Sequence, residues 1–307
     1  MKVRFKNILS VSKTSFKQWI SRDPFRESAA IAYHAIFSLP GLLVVIITLA
    51  GYFFGREAVN DRIAIQISGM FGAETAEQIQ HIIAKASQTE NSILATIIGI
   101  ITIFIGATGV FAQFQKSLNI IWEVKADKSK SGIWNLIRVR LFSFGLIISI
   151  AFILIVWLVI STMLTAFGDW LTSYFPESLL VVLQVVNYIL SLTIIAFLFS
   201  LMFKFFPDAK IKWRHIWIGS IVTALLFEIG KFGLGVYFGN ANPATGYGAA
   251  GSVILIMLWV SYSTMIVLYG AEFTHAYAVL LSGKVPPTEI AKKEIPNQRT
   301  KEKNVRS

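Results

Sequence analysis

The chain contains no cysteine. Disulfides, thiolate nucleophiles and cysteine-ligated zinc are therefore excluded, and redox compartment cannot be read from cysteine usage. Charge is scarce as well. Only 15% of the 307 residues are charged, where soluble domains carry about a quarter. Acidic residues are the rarer sign, 17 Asp and Glu against 28 Lys and Arg. The four histidines, His34, His81, His215 and His275, are scattered along the chain. No His-x-His-x-Asp-His cluster exists, and acids in the polar loops are few and dispersed, which argues against zinc or two-metal nuclease chemistry. No glycine-rich phosphate loop ending in Lys-Ser/Thr is present, which argues against ATP hydrolysis. We expect no cofactor, no metal site and no catalytic residues. The N-terminus lacks a compact apolar core before a small-residue cleavage site, so no cleavable signal peptide is expected.

What is abundant is apolar surface. Hydrophobic residues make up 55% of the chain, and its mean hydropathy is +0.63. They cluster in six stretches, at about 29–54, 92–112, 141–164, 179–203, 216–239 and 252–279. Each is as long as the ~20 residues a helix needs to cross ~30 Å of hydrocarbon. Backbone groups in lipid require internal partners, so each span must be helical. The predicted fold is an all-α polytopic membrane helix bundle of about six transmembrane helices, 29–281. Asp23-Pro24 supplies a start signal for the first helix. The polar segment 56–91 reads as two short amphipathic helices around Gly72. Residues 1–28 read as a basic amphipathic segment: Phe5, Ile8, Leu9, Phe16, Trp19 and Ile20 recur at helical spacing, with Lys2, Lys6, Lys13 and Lys17 between them. Residues 282–307 are charged and proline-containing, which predicts a basic, disordered cytoplasmic tail.

The cations are placed unevenly. Twenty-four Lys and Arg fall in the N-terminal segment, the loops after the second and fourth stretches, and the tail. The three alternating segments hold only Arg56, Arg62 and Lys85. This asymmetry predicts both termini in the cytoplasm. It assigns the basic charge to insertion and to contact with anionic lipid headgroups at the cytoplasmic face rather than to nucleic acid, for which no reading motif is visible. A homo-oligomer is compatible with the pattern.

Few polar groups fall inside the apolar stretches. Glu228 and Lys231 lie three residues apart in the fifth, hence on one helical face. Intramembrane ionisable residues mark sites by default, but a pair is also a device for fixing helix packing, and the sequence leaves both readings open. Glu272 and His275 form Glu-x-x-His in the sixth stretch; the spacing occurs in di-iron bundles, yet the further carboxylates those require are missing. Pro40-Gly41 interrupts the first stretch, freeing carbonyls that Ser38 or a neighbouring helix can satisfy. Such a break either lines a substrate site or is a packing kink. His34 precedes it and is either a proton gate or a neutral packing residue. Gly51-x-x-x-Gly55 and Gly235-x-x-x-Gly239 predict close helix approach, and 240–251 reads as a compact turn rich in small residues.

Several of these residues occur in a familiar arrangement. The run Ala29–Pro40, containing Tyr33 and His34, resembles the first-span signature of the YihY/virulence factor BrkB family. Leu118-Asn119-Ile120-Ile121-Trp122, Phe206-Pro207-Asp208 with Trp213, Tyr247-Gly248-Ala249-Ala250-Gly251-Ser252 and Gly270-Ala271-Glu272 are similar to further family elements, in family order over about residues 20–280. The chain departs from the pattern at His34, where an aromatic is common, and around Pro40, flanked here by Leu39 and Gly41. The resemblance implies a multi-pass protein of the bacterial inner membrane. The family once carried a ribonuclease label regarded as mistaken; proposals for it concern envelope integrity and lipid-like substrates. With the buried polar groups, this leads us to expect a transporter or flippase of a lipid-like, amphipathic substrate, using Glu228, Lys231, Glu272, His34, Ser38 and Pro40. A non-catalytic scaffold or envelope-integrity factor is the competing reading, and a ribonuclease a distant third.

Overall fold

The structure is a computed structural model. It describes residues 5–38, nine positions between 55 and 80, and residues 108–127, 178–241 and 250–294. In chain order these form helices α1 (Phe5–Ser21), α2 (24–38) and α3 (108–121), strand β1 (Val124–Ala126), helices α4 (Ser178–Phe205), α5 (Trp213–Ala241) and α6 (Gly251–Ser282), and strand β2 (Ala291–Lys293). Three of the described helices are long and apolar enough to cross a membrane: α4 over Tyr188–Phe205, α5 over Trp213–Phe238, and all of α6. They coincide with the fourth, fifth and sixth apolar stretches. The third stretch lies outside the described residues, as do the first beyond residue 38 and the second before residue 108. Within 56–91 the described positions 57, 60, 61, 64, 65, 68, 77 and 80 are helical, while Gly72 lies outside them.

Helix ends follow local chemistry. Asp23 stops α1 in the left-handed region at φ 56°, which its short polar side chain tolerates. Its N–H bonds the Ile20 carbonyl at 3.2 Å, and its own carbonyl accepts the Glu27 N–H at 3.2 Å. One residue thus closes α1 and opens α2, with Pro24 in the first turn where no N–H is missed. Gly283, at φ 73°, ends α6 by donating to Val279 at 2.9 Å.

The chain divides into two compact units. One comprises Met1–Gln18, Gln115–Leu226 and Tyr269–Ser307; the other comprises Trp19–Phe114 and Phe227–Leu268. The first has Leu118, Trp122, Phe203, Ile216, Phe273 and Tyr277 fully buried. Phe273 and Tyr277 stack at 6.4 Å between ring centres, and Val11 of α1 packs on them. Within it α5 and α6 approach closely. A methyl group added at Gly219 would overlap the Thr274 side chain, and one added at Gly270 would overlap Thr223. Each threonine hydroxyl donates to the carbonyl four residues earlier on its own helix, Thr223 to Gly219 and Thr274 to Gly270, both at 2.7 Å. The two Gly-x-x-x-Thr pairs interlock reciprocally, letting backbones approach without an orphaned hydroxyl. The expected close approach at Gly235 is not seen among the described residues: none lies within 4 Å of a Cβ built there, nor at Gly55, and Gly51 is outside the described residues. A Gly-x-x-x-Gly spacing marks a smooth helix face but not which face meets a neighbour.

The disordered tail expected from residue 282 is corrected through Glu294. Val124–Ala126 and Ala291–Lys293 pair antiparallel, with Val124 opposite Lys293 and Ala126 opposite Ala291. Ala209 bridges Pro287. Lys210 N–H bonds the Pro286 carbonyl at 2.8 Å and Thr288 N–H bonds the Asp208 carbonyl at 2.9 Å. Two prolines hold the segment extended without needing donors, and Val285 and Ala291 are buried. Of the charges that suggested disorder, Lys284, Glu289, Lys292 and Lys293 are exposed. In the second unit, Ile31, Ala32, Leu255 and Val267 are buried, and Trp19 Nε1 donates to the Met265 carbonyl at 3.1 Å.

Candidate functional site

In a chain with so little charge, each polar group at depth needs a physical explanation. On α5 the explanation is local. The Lys231 ammonium lies 2.7 Å and 2.9 Å from the two carboxylate oxygens of Glu228. Each is the other's only polar partner among the described residues. Glu228 sits at the middle of the 29-residue helix, about 22 Å from its start at 1.5 Å per residue. The Glu228 side chain is 13% exposed, whereas that of Lys231 is 44% exposed. The pair therefore forms as the i, i+3 spacing predicts, but its lysine lies on the surface. Beside it run Ile221, Leu225, Ile229, Phe232 and Val236, an apolar stripe whose members Ile229 and Phe232 are 68% and 75% exposed.

The first unit holds a second set of polar residues. Glu272 is fully buried in α6. One turn on, His275 is also buried and meets the Trp122 ring edge-on at 5.1 Å. This brings together two regions of the family-like pattern. His215 shares a 2.8 Å hydrogen bond with Ser282 and faces the edge of Tyr277. Among the described residues no three His, Asp or Glu side chains gather in a metal-binding set.

Asn119 and Asp208, 89 residues apart, form a tight long-range polar contact. Asn119 Nδ2 donates to the Asp208 carboxylate at 2.7 Å, and the Asp208 N–H donates to Asn119 Oδ1 at 2.8 Å. Gln115 Nε2 adds a bond to the other carboxylate oxygen at 3.3 Å. Pro207, buried beside it, sets the turn between α4 and α5. Burial pushes the Asp208 carboxyl above the ordinary 3.8, only partly offset by the donors Asn119 and Gln115. Asn119 and Pro207-Asp208 were legible as motifs, but their meeting was not.

Of the remaining candidates, Gly270 lies in the first unit and the others lie in the second unit or outside the described residues. The His34 ring packs on Gly109, its Nδ1 2.6 Å from where a Cβ would stand. Tyr33 is exposed and touches His34 and Phe37 edge-on. Ser38 Oγ donates to the Ala35 carbonyl at 3.0 Å, a local bond within its own turn and not to a carbonyl that Pro40 would free. Pro40, Tyr247 and Gly248 lie outside the described residues. Gly251 begins α6 and is buried, and Gly270 belongs to the interlock above. Sequence reasoning missed Glu27, a buried acid in the first turn of α2 that accepts Gln113 Nε2 at 2.9 Å and Arg26 at 3.3 Å. An acid three residues after Pro24, at a helix start, was the available signal.

Comparison with known proteins fits this picture. The sequence model of the virulence factor BrkB family matches residues 15–290. A "UPF0761 membrane protein" of Pseudoalteromonas atlantica is 28% identical over 270 residues, 86% of this chain and 85% of that protein. Proteins of the same name from Saccharophagus degradans and Teredinibacter turnerae are 27% and 26% identical over 86% and 90% of this chain. The chain spans only 58% and 63% of those two relatives. No solved structure matches.

Proposed function

Since the chain belongs to the virulence factor BrkB family, whose relatives here are called membrane proteins, we propose that it carries an amphipathic, lipid-like substrate across the bacterial inner membrane. In this reading it is a bundle of about six spans with both termini in the cytoplasm, bound to anionic lipid at that face and without enzymatic chemistry of its own. Energy comes from a gradient, a partner or the substrate's own distribution.

One observation carries the reading: the Glu228–Lys231 pair with its lysine 44% exposed, midway along a spanning helix. Lys231 is ten residues, roughly 15 Å, from the end of α5. A lysine stem reaches only about 6 Å, too short to carry its ammonium to the headgroups by snorkelling. Left against acyl chains, a charge at that depth costs at least about 2.5–3.5 kcal/mol. A polar substrate, a water-filled path or a second polar surface must therefore meet it. A passing headgroup that exchanges partners with the pair explains both the pairing and the exposure.

The test is translocation of a fluorescent phospholipid by the full-length protein in vesicles, read by dithionite quenching. Glu228→Gln and Lys231→Met should each slow translocation about tenfold or more without lowering the unfolding temperature comparably. Wild-type rates in both variants would remove the basis of the proposal. Loss of stability with no change in translocation would favour the scaffold, for which the interlock of Gly219, Thr223, Gly270 and Thr274 is the supporting observation.

A further inference from the structure

The turn between α4 and α5 bounds a groove of about 730 Å³, walled by Lys204, Lys210, Lys212, Trp213, Asp208 and Thr288 among others. The volume lies within the range of small-ligand sites, and the wall chemistry is cationic. Lys210 and Lys212 are exposed. The counter-ion of Lys210, Glu289, lies 3.5 Å away and is 89% exposed, so an incoming anion can displace it at little cost. Lys204 is held in place, donating to the Ile211 carbonyl at 2.6 Å with its ammonium 5.7 Å above the Trp213 ring. Two of its three donors remain for a ligand. The groove also opens on the start of α5, where the Lys212 carbonyl accepts the first helical bonds, from His215 and Ile216. The N–H groups of that first turn point out of the helix with the positive end of its dipole.

Two further features separate this place from an ordinary basic surface. Thr288 Oγ, in the groove wall, is buried and has no hydrogen-bond partner among the described residues. A buried hydroxyl without a partner is costly, and a ligand oxygen would satisfy it. The acid in the wall is already engaged: both Asp208 oxygens accept bonds from Asn119 and Gln115. Exposed aromatics complete the rim. Phe205 and Trp213 meet edge-on at 6.2 Å, and each is about 40% exposed at the end of an apolar helix, the position aromatic side chains take at headgroup level.

We propose that this groove binds an anionic phosphate group, as presented by an acidic phospholipid head, with Lys204, Lys210 and Lys212 as cationic partners and the Thr288 hydroxyl as a buried hydrogen-bonding partner. The site shares no residue with the Glu228–Lys231 pair and stands whether or not the protein transports anything.

Binding of dihexanoyl phosphatidylglycerol, dihexanoyl phosphatidylcholine and inorganic phosphate to the full chain in detergent, followed by native mass spectrometry, tests the assignment. The wild type should prefer phosphatidylglycerol over phosphatidylcholine by about tenfold, and Lys210→Gln/Lys212→Gln should abolish that preference. Both lysines are exposed, so the double variant should unfold at the wild-type temperature. Thr288→Val, which leaves charge unchanged, should weaken binding by about threefold or more. Comparable binding of inorganic phosphate would identify a soluble phosphate as the occupant; binding of the lipid alone would identify the headgroup. Equal affinity for both lipids with no phosphate binding would overturn the proposal, as would unchanged binding in both the double variant and Thr288→Val.

Discussion

Gly270→Ala should destabilise the protein although alanine is the better helix former. The added methyl would overlap the Thr223 hydroxyl and stand 2.8 Å from both its Cβ and its Cγ2. Rotating the threonine moves Oγ1 but not Cβ, whose position the α5 backbone fixes. Rotation also breaks the 2.7 Å bond from Thr223 to the Gly219 carbonyl. Relief therefore requires α5 and α6 to separate. Overpacking of this kind costs about 1–3 kcal/mol, the disturbed hydroxyl about 1 kcal/mol more, and the gain from replacing helical glycine returns about 1 kcal/mol. A net loss of about 1–3 kcal/mol is expected, read as a lowered unfolding temperature in detergent. Thr223→Gly removes the obstructing Cβ, so Gly270→Ala should cost less in that background, and the difference measures the contact. Gly235→Ala is the matched control. No described residue lies within 4 Å of its Cβ position, and stability should be unchanged or slightly raised. Gly270→Ala with wild-type stability, or with the same penalty beside Thr223→Gly, would refute the interlock.

Because burial raises the Asp208 carboxyl pKa, the folded state binds more protons than the unfolded one between 3.8 and that higher value. The contribution of Asp208 is then most favourable at low pH and declines as pH rises through the raised pKa. The stability of wild type relative to Asp208→Asn should fall as pH rises above 3.8 and through the raised pKa; a rise would contradict the assigned cause. On α1, Leu9, Phe16 and Ile20 are 67%, 55% and 49% exposed on the face opposite buried Val11 and Ser15, and we expect that stripe to lie in the leaflet. The cysteine-free sequence allows a single environment-sensitive label at Phe16→Cys: quenching by brominated lipid should exceed that at Thr14→Cys, which is exposed about 160° around the helix from Phe16, and equal, water-like emission at both would exclude the embedding.

The legible parts of this molecule were those set by one segment at a time. α4, α5 and α6 announce themselves because their apolar runs exceed what a soluble core accommodates, and Asp23-Pro24 because a helix start is a local event. Glu228 and Lys231 could be paired from spacing alone. That Lys231 would lie exposed was not readable, since an i, i+3 relation fixes a shared face but not what the face meets. The interlock is invisible to a Gly-x-x-x-Gly spacing, since each glycine meets a threonine of the other helix, a small residue there whose hydroxyl is satisfied within its own helix. The fold of 283–294 was hidden for a different reason: its backbone bonds go to 123, 127, 208 and 210, and composition carries no trace of such distant partners.

The polar residues of this chain divide according to whether the fold depends on them. A ribbon of two three-residue strands, such as β1 and β2, is not stable alone, and a bridge of one residue pair is weaker still. What holds this layer is Asp208, whose carboxylate takes Asn119 and Gln115 from α3, whose N–H returns to Asn119, and whose carbonyl takes Thr288 from the C-terminal segment. Three stretches of chain far apart in sequence are tied at one residue, so the family-like motifs that contain Asn119 and Pro207-Asp208 are explained by closure of the fold and need no catalytic role. Glu228 and Lys231 present the opposite case. Among the described residues they bond only each other, one turn apart on a helix that would form without them. A pair of charges that an apolar helix long enough to span a membrane tolerates at cost, and that no other described residue engages, is where we place the interaction with the proposed substrate.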